Sequence, residues 1–267
     1  MAESLNRFTL AAIDLDGTLL GPDHAISMAN AEAVRRLQAA GAQVVLASGR
    51  HFESMRKYVD ALPGVQWVVS CQGGEVSSAD RQRVLSRQFL PATRVGEAMA
   101  SGHDHRFAIV AYGVEGVFTD STSNFEMEFY TELVSLRPAA LDRNELLARD
   151  IFKVIWIGEP ADIARVVPAD VALPQVQMVR TNARFLEFMP ESVSKGAALA
   201  NLAAHLGLPA SEAVVFGDGD NDVPMFEWAG MSVAMPQGSP LAHGRAKRVA
   251  PAGPAETALA RAVNLVL

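Results

Sequence analysis

Residues 8–20 read FTLAAIDLDGTLL, an apolar run that ends on two carboxylates, Asp14 and Asp16, and then turns at Gly17. Such a run predicts a buried strand over residues 8–13. In open α/β sheets ligands collect at the carboxyl ends of strands, which is where the two acids fall. Alternate residues of an extended chain point the same way, so both carboxylates can reach one site. Gly17 lets the backbone turn away, and Thr18 adds a hydroxyl. Two acids this close repel unless a cation neutralises them, and Mg²⁺ takes one or two carboxylates together with phosphate. Taken alone, the pair is also compatible with an exposed polar turn.

Outward from this strand the alternation continues. A helix is predicted over 28–40, with Ser27 as N-cap and Gly41 as its stop, then a strand at 43–47, a helix at 52–62 and the apolar run WVVS at 67–70. The same grammar returns later: a helix over Lys195–Leu206 stopped by Gly207, strands AVVF at 213–216 and MSVAM at 231–235, the short run KRVA, and a helix between Pro254 and Val266. Strand–helix alternation of this kind predicts an α/β domain, a Rossmann-like parallel sheet with helices on its faces. The middle differs in texture. Adjacent strand-like runs lie at 107–112, 116–120, 152–158, 176–180 and 185–189, with helical stretches near 92–100, 142–149 and 160–167. The expected division is a core of residues 1–80 and 191–267 carrying an inserted α+β module of residues 81–190.

At 267 residues, two domains of unequal size fit the chain. Its 49% hydrophobic and 20% charged residues suffice for a buried core throughout. The net charge of -7 and pI near 5.4 argue against nucleic acid or an anionic membrane as the main partner and favour a small ligand. The one cysteine, Cys71, cannot form an internal disulfide. No window approaches the ~18 apolar residues of a membrane span. Phe8–Ile13 is too short for a signal segment, so a cytoplasmic location is expected.

Three further motifs follow β-like runs. Ser48-Gly49-Arg50 comes straight after QVVLA, and a hydroxyl with a glycine amide at a helix start can cradle phosphate, though such turns are common. In Ser194-Lys195-Gly196 the lysine opens a helix, where the dipole disfavours a cation unless an anion lies near; a solvated lysine is the plain alternative. Gly217-Asp218-Gly219-Asp220-Asn221-Asp222 follows AVVF and reads as a metal-binding loop or a polar turn. A calcium hand is excluded, because Val223 stands where its glycine belongs and no glutamate closes the loop.

Together, DLDGT, the serine of ASGR, the lysine of SKG and GDGDND, in this order over nearly the whole chain, resemble the haloacid dehalogenase superfamily. More narrowly they are similar to its Cof-type (subclass IIB) phosphatases. The resemblance implies a Rossmann-like core with an inserted α/β cap of the C2B type, which closes over a small phosphorylated metabolite. It implies Mg²⁺-dependent hydrolysis of a phosphomonoester, such as a sugar phosphate, through an aspartyl-phosphate. Asp14 would be the nucleophile and Asp16 the general acid and base. Asp14, Asp218 and the Asp16 carbonyl would hold the metal, with Asp222 supporting them. The Leu15 and Gly49 amides, Ser48, Lys195 and Asn221 would bind the phosphoryl oxygens. Asp16 favours hydrolysis over a stable phospho-switch. A phosphomutase of the same superfamily and a non-catalytic phosphosugar-binding protein are the alternatives, and a monomer or homodimer is expected.

This chain departs from the family pattern at three places. Ser48 stands where threonine is common, Cys71-Gln72-Gly73-Gly74 where Asn-Gly-Ala is common, and Pro236-Gln237-Gly238-Ser239 where Asn-Ala is common. Ser48 keeps the hydroxyl; neither of the other two is expected to touch the catalytic set, and in the family both border the substrate mouth. His103-Asp104-His105 reads as a solvated polar loop, Cys71 as a small buried hydrophobe, and residues 125–130 (FEMEFY) with Trp156 as packing of the inserted module. Arg180, Thr181 and Asn182 are placed at a strand end where they can face substrate.

Overall fold

A computed structural model describes residues 8–120 and 124–267. The first stretch runs β1 (Leu10–Ile13), α1 (Met28–Ala39), β2 (Gln43–Ala47), α2 (Phe52–Ala61), β3 (Val65–Ser70), β4 (Glu75–Ser78) and β5 (Val84–Arg87). The middle runs α3 (Ala92–Asp104), β6 (Ala108–Gly113), β7 (Val117–Thr119), α4 (Asn124–Val134), β8 (Ala139–Ala140), α5 (Arg143–Leu147), β9 (Ile151–Ile157), α6 (Pro160–Arg165), β10 (Val176–Asn182) and β11 (Phe185–Pro190). The last stretch runs α7 (Lys195–Leu206), β12 (Ala213–Gly217), α8 (Val223–Trp228), β13 (Met231–Ala234), α9 (Pro240–Arg245), β14 (Arg248–Val249) and α10 (Ala258–Val263).

Two compact units result. The first comprises the residues up to Gly49, Arg56–Ser86 and Ser194–Leu267; the second comprises Arg50–Met55 and Arg87–Val193. The first unit's sheet has the order β14-β13-β12-β1-β2-β3-β4-β5, and the pairs from β14 to β3 are parallel. β1 lies inside this sheet with every residue buried, which is why its sequence is a continuous apolar run rather than an alternating one. Leu10 and Ala12 face α7 and α8, packing with Leu199, Leu202, Met225 and Phe226. Asp14 is the next residue on that face. The helix N-caps at Ser27 and Ser194 form as their side chains accept from the Asn30 and Ala197 amides, and Gly207 ends α7 in left-handed backbone.

β4 and β5 were not expected, because the last strand read in this stretch is the apolar run at 67–70. β4 pairs antiparallel with β3, and its polar sequence EVSS is wholly buried. The Glu75 carboxylate tolerates this because Arg81 grips it with two hydrogen bonds, at 2.8 and 3.0 Å.

The second unit is a sheet of order β10-β11-β9-β6-β7-β8, antiparallel except for β7–β8. Ile109, Ala111, Val154, Trp156 and Phe188 on one face pack against Val95, Ala98 and Met99 of α3, Leu146 of α5 and Ile163 of α6. Trp156 is completely buried and donates to the Ala98 carbonyl at 2.9 Å, as packing requires. Phe125, in contrast, is 59% exposed rather than packed.

Arg50–Met55 follows the second unit although it continues the Ser48-Gly49 turn of the first. Arg50 donates to the Leu133 and Val134 carbonyls at the end of α4, and the His51 ring bonds the Gly113 carbonyl at 2.8 Å. Among the described residues, no helix is long and apolar enough to cross a membrane.

Candidate active site

β1 ends at Ile13, and the chain turns over Leu15–Leu20 with the Leu15 carbonyl accepting from the Leu19 and Leu20 amides. This turn leaves Asp14 4% exposed at the end of the sheet. α7 begins over the same place. Its first residue, Lys195, is completely buried and reaches both Asp14 Oδ1 at 2.5 Å and Asp222 Oδ1 at 2.6 Å. The cation at a helix start is thus explained by the anions it meets. Gly196 permits the approach, since a Cβ there would stand 2.2 Å from the Pro224 carbonyl oxygen.

The loop after β12 supplies the other acids. Asp222 Oδ2 accepts from the Asp218 and Gly219 amides at 2.9 and 3.0 Å, so both of its oxygens are engaged within the loop and with Lys195. Asp222 therefore shapes the loop. Asp218 presses against the turn after β1, where a Cβ on Gly17 would lie 2.2 Å from its Oδ2. Gly17 has φ 79, so both space and backbone require glycine.

Ligand atoms of Asp14, Asp218 and Asp222 lie within 4.8 Å of one another. Burial first, with the charges of Asp222, Asp218 and Asp16 adding to it, raises Asp14 well above the ordinary carboxyl range against the pull of Lys195. Burial and the charges of Asp222 and Asp16 likewise push Asp218 up to about 7, again opposed by Lys195. Burial works to lower Lys195, but the charges of Asp14 and Asp222 and its bonds to both outweigh it, so the ammonium is held above the ordinary lysine range. One ammonium thus answers three acids, Asp14, Asp218 and Asp222. A divalent cation fits this donor set, because hard carboxylate oxygens are close together and under-neutralised.

Asp16 is the more open acid, its side chain 44% exposed and 3.4 Å from His24 Nδ1. Ser48 is buried and its carbonyl accepts from the Gln72 amide at 3.0 Å. The Leu15 amide has no hydrogen-bond acceptor among the described residues, which suits it to an oxyanion. Asn221 donates to Gln72 Oε1 at 3.1 Å, and a Cβ on Gly49 would meet Gln72 Nε2 at 2.4 Å.

Several expectations change. Gln72 touches two members of the predicted set, Gly49 and Asn221, and Gln237 donates to the Gly17 carbonyl, so two of the sequence departures adjoin the site. The signal for Gln72 was its place just past β3, the same logic that located the other motifs. The Thr18 hydroxyl is buried and has no partner among the described residues. His103 and Asp104 are the last residues of α3 rather than a loop, because Gly102 is a close-packing position against Ile109 and Trp156 and does not stop the helix. His103 bonds Asp120 and His105 bonds the Ser101 carbonyl, so they converge on no common centre. Arg180 bonds the Ile163 and Val166 carbonyls, Thr181 bonds Glu187, and Asn182 accepts from the Arg184 amide; all three are engaged within the second unit.

The sequence model of the haloacid dehalogenase-like hydrolases matches residues 11–262. The Bacillus subtilis (strain 168) protein YxeH is 29% identical over 241 residues, covering 87% of this chain and 89% of that protein. The HMP-PP phosphatase of Cronobacter sakazakii is 28% identical over 235 residues, covering 85% of each. A haloacid dehalogenase-like hydrolase from Bacteroides thetaiotaomicron superposes with a TM-score of 0.85 over 97% of this chain and 100% of that one, at 23% identity, and shares the fold. The family match spans β1 through α10 and takes in every acid around Lys195, so the chain belongs to the haloacid dehalogenase-like hydrolases, as a phosphatase of the Cof type.

Proposed function

We propose that this phosphatase hydrolyses a small phosphomonoester with Mg²⁺ as its metal, through an aspartyl-phosphate on Asp14. The observation that carries the reading is the buried Asp14–Lys195–Asp222 chain beside Asp218. Lys195 opposes the burial that favours the protonated form of Asp14 and, by binding Oδ1, fixes which oxygen stays free to attack. That oxygen forms a bond to phosphorus as the bond to the leaving alkoxide breaks, and Asp16 gives its proton to the alkoxide. Asp16, now a carboxylate, takes a proton from water, whose oxygen attacks phosphorus and releases Asp14 and inorganic phosphate. Its exposure suits this shuttle, since the leaving alkoxide and then the attacking water must both reach it.

Asp14, Asp218 and the Asp16 carbonyl are the proposed metal ligands, and bound Mg²⁺ would neutralise charge on the phosphoryl oxygens. Ser48 and the Leu15 and Gly49 amides, with Lys195 and Asn221, hold those oxygens in line with Asp14. All of these residues lie in the first unit. We assign catalysis to residues 1–80 and 191–267 and substrate choice to residues 81–190, in a cytoplasmic enzyme.

The test is release of inorganic phosphate from a panel of sugar phosphates, polyol phosphates, nucleotides and vitamin phosphates with Mg²⁺. HMP-PP belongs in the panel because a relative bears that name. One or more small phosphomonoesters should be turned over, and Asp14→Asn should abolish turnover while leaving the protein folded. Full activity in Asp14→Asn would refute the assignment.

A further inference from the structure

Gln72 sits in the turn after β3, where Cys71 and Gln72 both hold left-handed backbone, with φ 53 and 62. Non-glycine residues rarely adopt this conformation, and it persists where surrounding structure imposes it. Here the turn is wedged in place. The Gln72 amide donates to the Ser48 carbonyl, and the Cβ position of Gly73 lies 2.4 Å from the Ser194 carbonyl oxygen. The Gln72 side chain is thereby driven inward, and the residue is only 4% exposed.

The two ends of its amide differ. Oε1 accepts from Asn221 Nδ2 at 3.1 Å, which fixes how the group is turned. Nε2 lies against Gly49 and has no acceptor among the described residues. An amide held in one orientation by Asn221, with its donor end left without a protein acceptor, is placed to donate to a group that arrives with the ligand. Its immediate neighbours, the Gly49 backbone and Asn221, are both assigned above to phosphoryl oxygens. The partner chemistry they share is an oxyanion.

We propose that Gln72 is a further phosphate-binding residue, donating from Nε2 to an oxygen of the transferring phosphoryl group while Asn221 orients its amide. This rests on the phosphatase reading above, and it gives the turn after β3 a part in the site beside the turns after β1, β2 and β12.

The alternative is that Gln72 merely fills space against Gly49. Gln72→Met keeps length and bulk without the donor, Gln72→Glu keeps shape but sets a negative charge toward the phosphoryl oxygens, and Gln72→Ala removes the group. The measurements are the inhibition constant of inorganic phosphate and kcat/KM for the best phosphomonoester, with Mg²⁺, alongside thermal unfolding. A hydrogen bond to a charged group is worth roughly 10- to 100-fold in affinity, so Gln72→Met and Gln72→Ala should weaken phosphate inhibition by about tenfold or more. Gln72→Glu should weaken it further. Phosphate inhibition and kcat/KM within twofold of wild type in folded Gln72→Met would overturn the proposal and leave the phosphatase reading standing. Should Gln72→Glu fail to fold, Gln72→Met and Gln72→Ala decide the matter. A wild-type protein that neither hydrolyses phosphomonoesters nor binds phosphate would instead sink the parent reading.

Discussion

Asp218→Asn should stabilise the metal-free protein at alkaline pH and weaken its response to Mg²⁺. The Asp218 carboxyl is pushed from its ordinary 3.8 up to about 7, by burial first and then by the charges of Asp222 and Asp16. Between those values the folded state holds a proton that the unfolded chain has released. Stability therefore falls as pH rises through this window and stays low above it. At about 1.4 kcal/mol per pH unit, the penalty above pH 7 reaches about 4 kcal/mol. Asparagine has nearly the same volume and no charge, so it removes the penalty without opening a cavity. Urea denaturation in EDTA at pH 8 should find Asp218→Asn more stable by up to about 4 kcal/mol, with the gap closing as pH falls toward 4. Saturating Mg²⁺ should stabilise wild type, by about 2.7 kcal/mol at a hundred times its Kd, and the variant far less. A variant less stable than wild type at pH 8 in EDTA, or one stabilised equally by Mg²⁺, would show that Asp218 is not a strained, metal-seeking acid.

Two further predictions concern the buried ion pairs. Lys195→Met strands Asp14 and Asp222 in the sheet end without their ammonium, and should cost about 3–5 kcal/mol at neutral pH in urea denaturation, less in acid as the carboxyls protonate. In the second unit, Lys153 pairs with Glu187 at 2.7 Å and lies over the Tyr112 ring, with both partners buried. Lys153→Met alone should cost a similar amount, while Lys153→Met with Glu187→Leu should recover most of it, which a double-mutant cycle by thermal unfolding measures.

What the sequence disclosed follows from where local pattern and burial agree. β1, β2 and β12 are buried on both faces and read as apolar runs, so their ends, and with them Asp14, Ser48 and Asp218, were legible. Lys195 was legible because a cation at a helix start contradicts the dipole, and the buried anions resolve that contradiction. β4 was hidden because its burial depends on Glu75 meeting Arg81 across a hairpin, a pairing that periodicity does not record. The helical stretch was expected to end near residue 100, whereas α3 continues to Asp104 with Gly102 letting Ile109 and Trp156 approach. The attachment of Arg50–Met55 to the second unit was hidden too, since Arg50 reaches carbonyls on α4, far along the chain. Gln72 was placed at the substrate mouth and outside the catalytic set, because the left-handed turn that sets it against Gly49 leaves no mark in periodicity.

The central claim, that Asp14 carries the phosphoryl group, is tested most directly by trapping it. Asp16→Asn removes the base that activates water, so with Mg²⁺ and an aryl phosphomonoester, whose leaving group needs no acid, the variant should accumulate a phosphoenzyme. After acid quench and digestion, mass spectrometry of the peptide spanning β1 should find one hydroxylamine-labile phosphoryl group on Asp14. Phosphate release with no phosphoryl on Asp14, or a stable phosphoryl group on a different residue, would contradict the account.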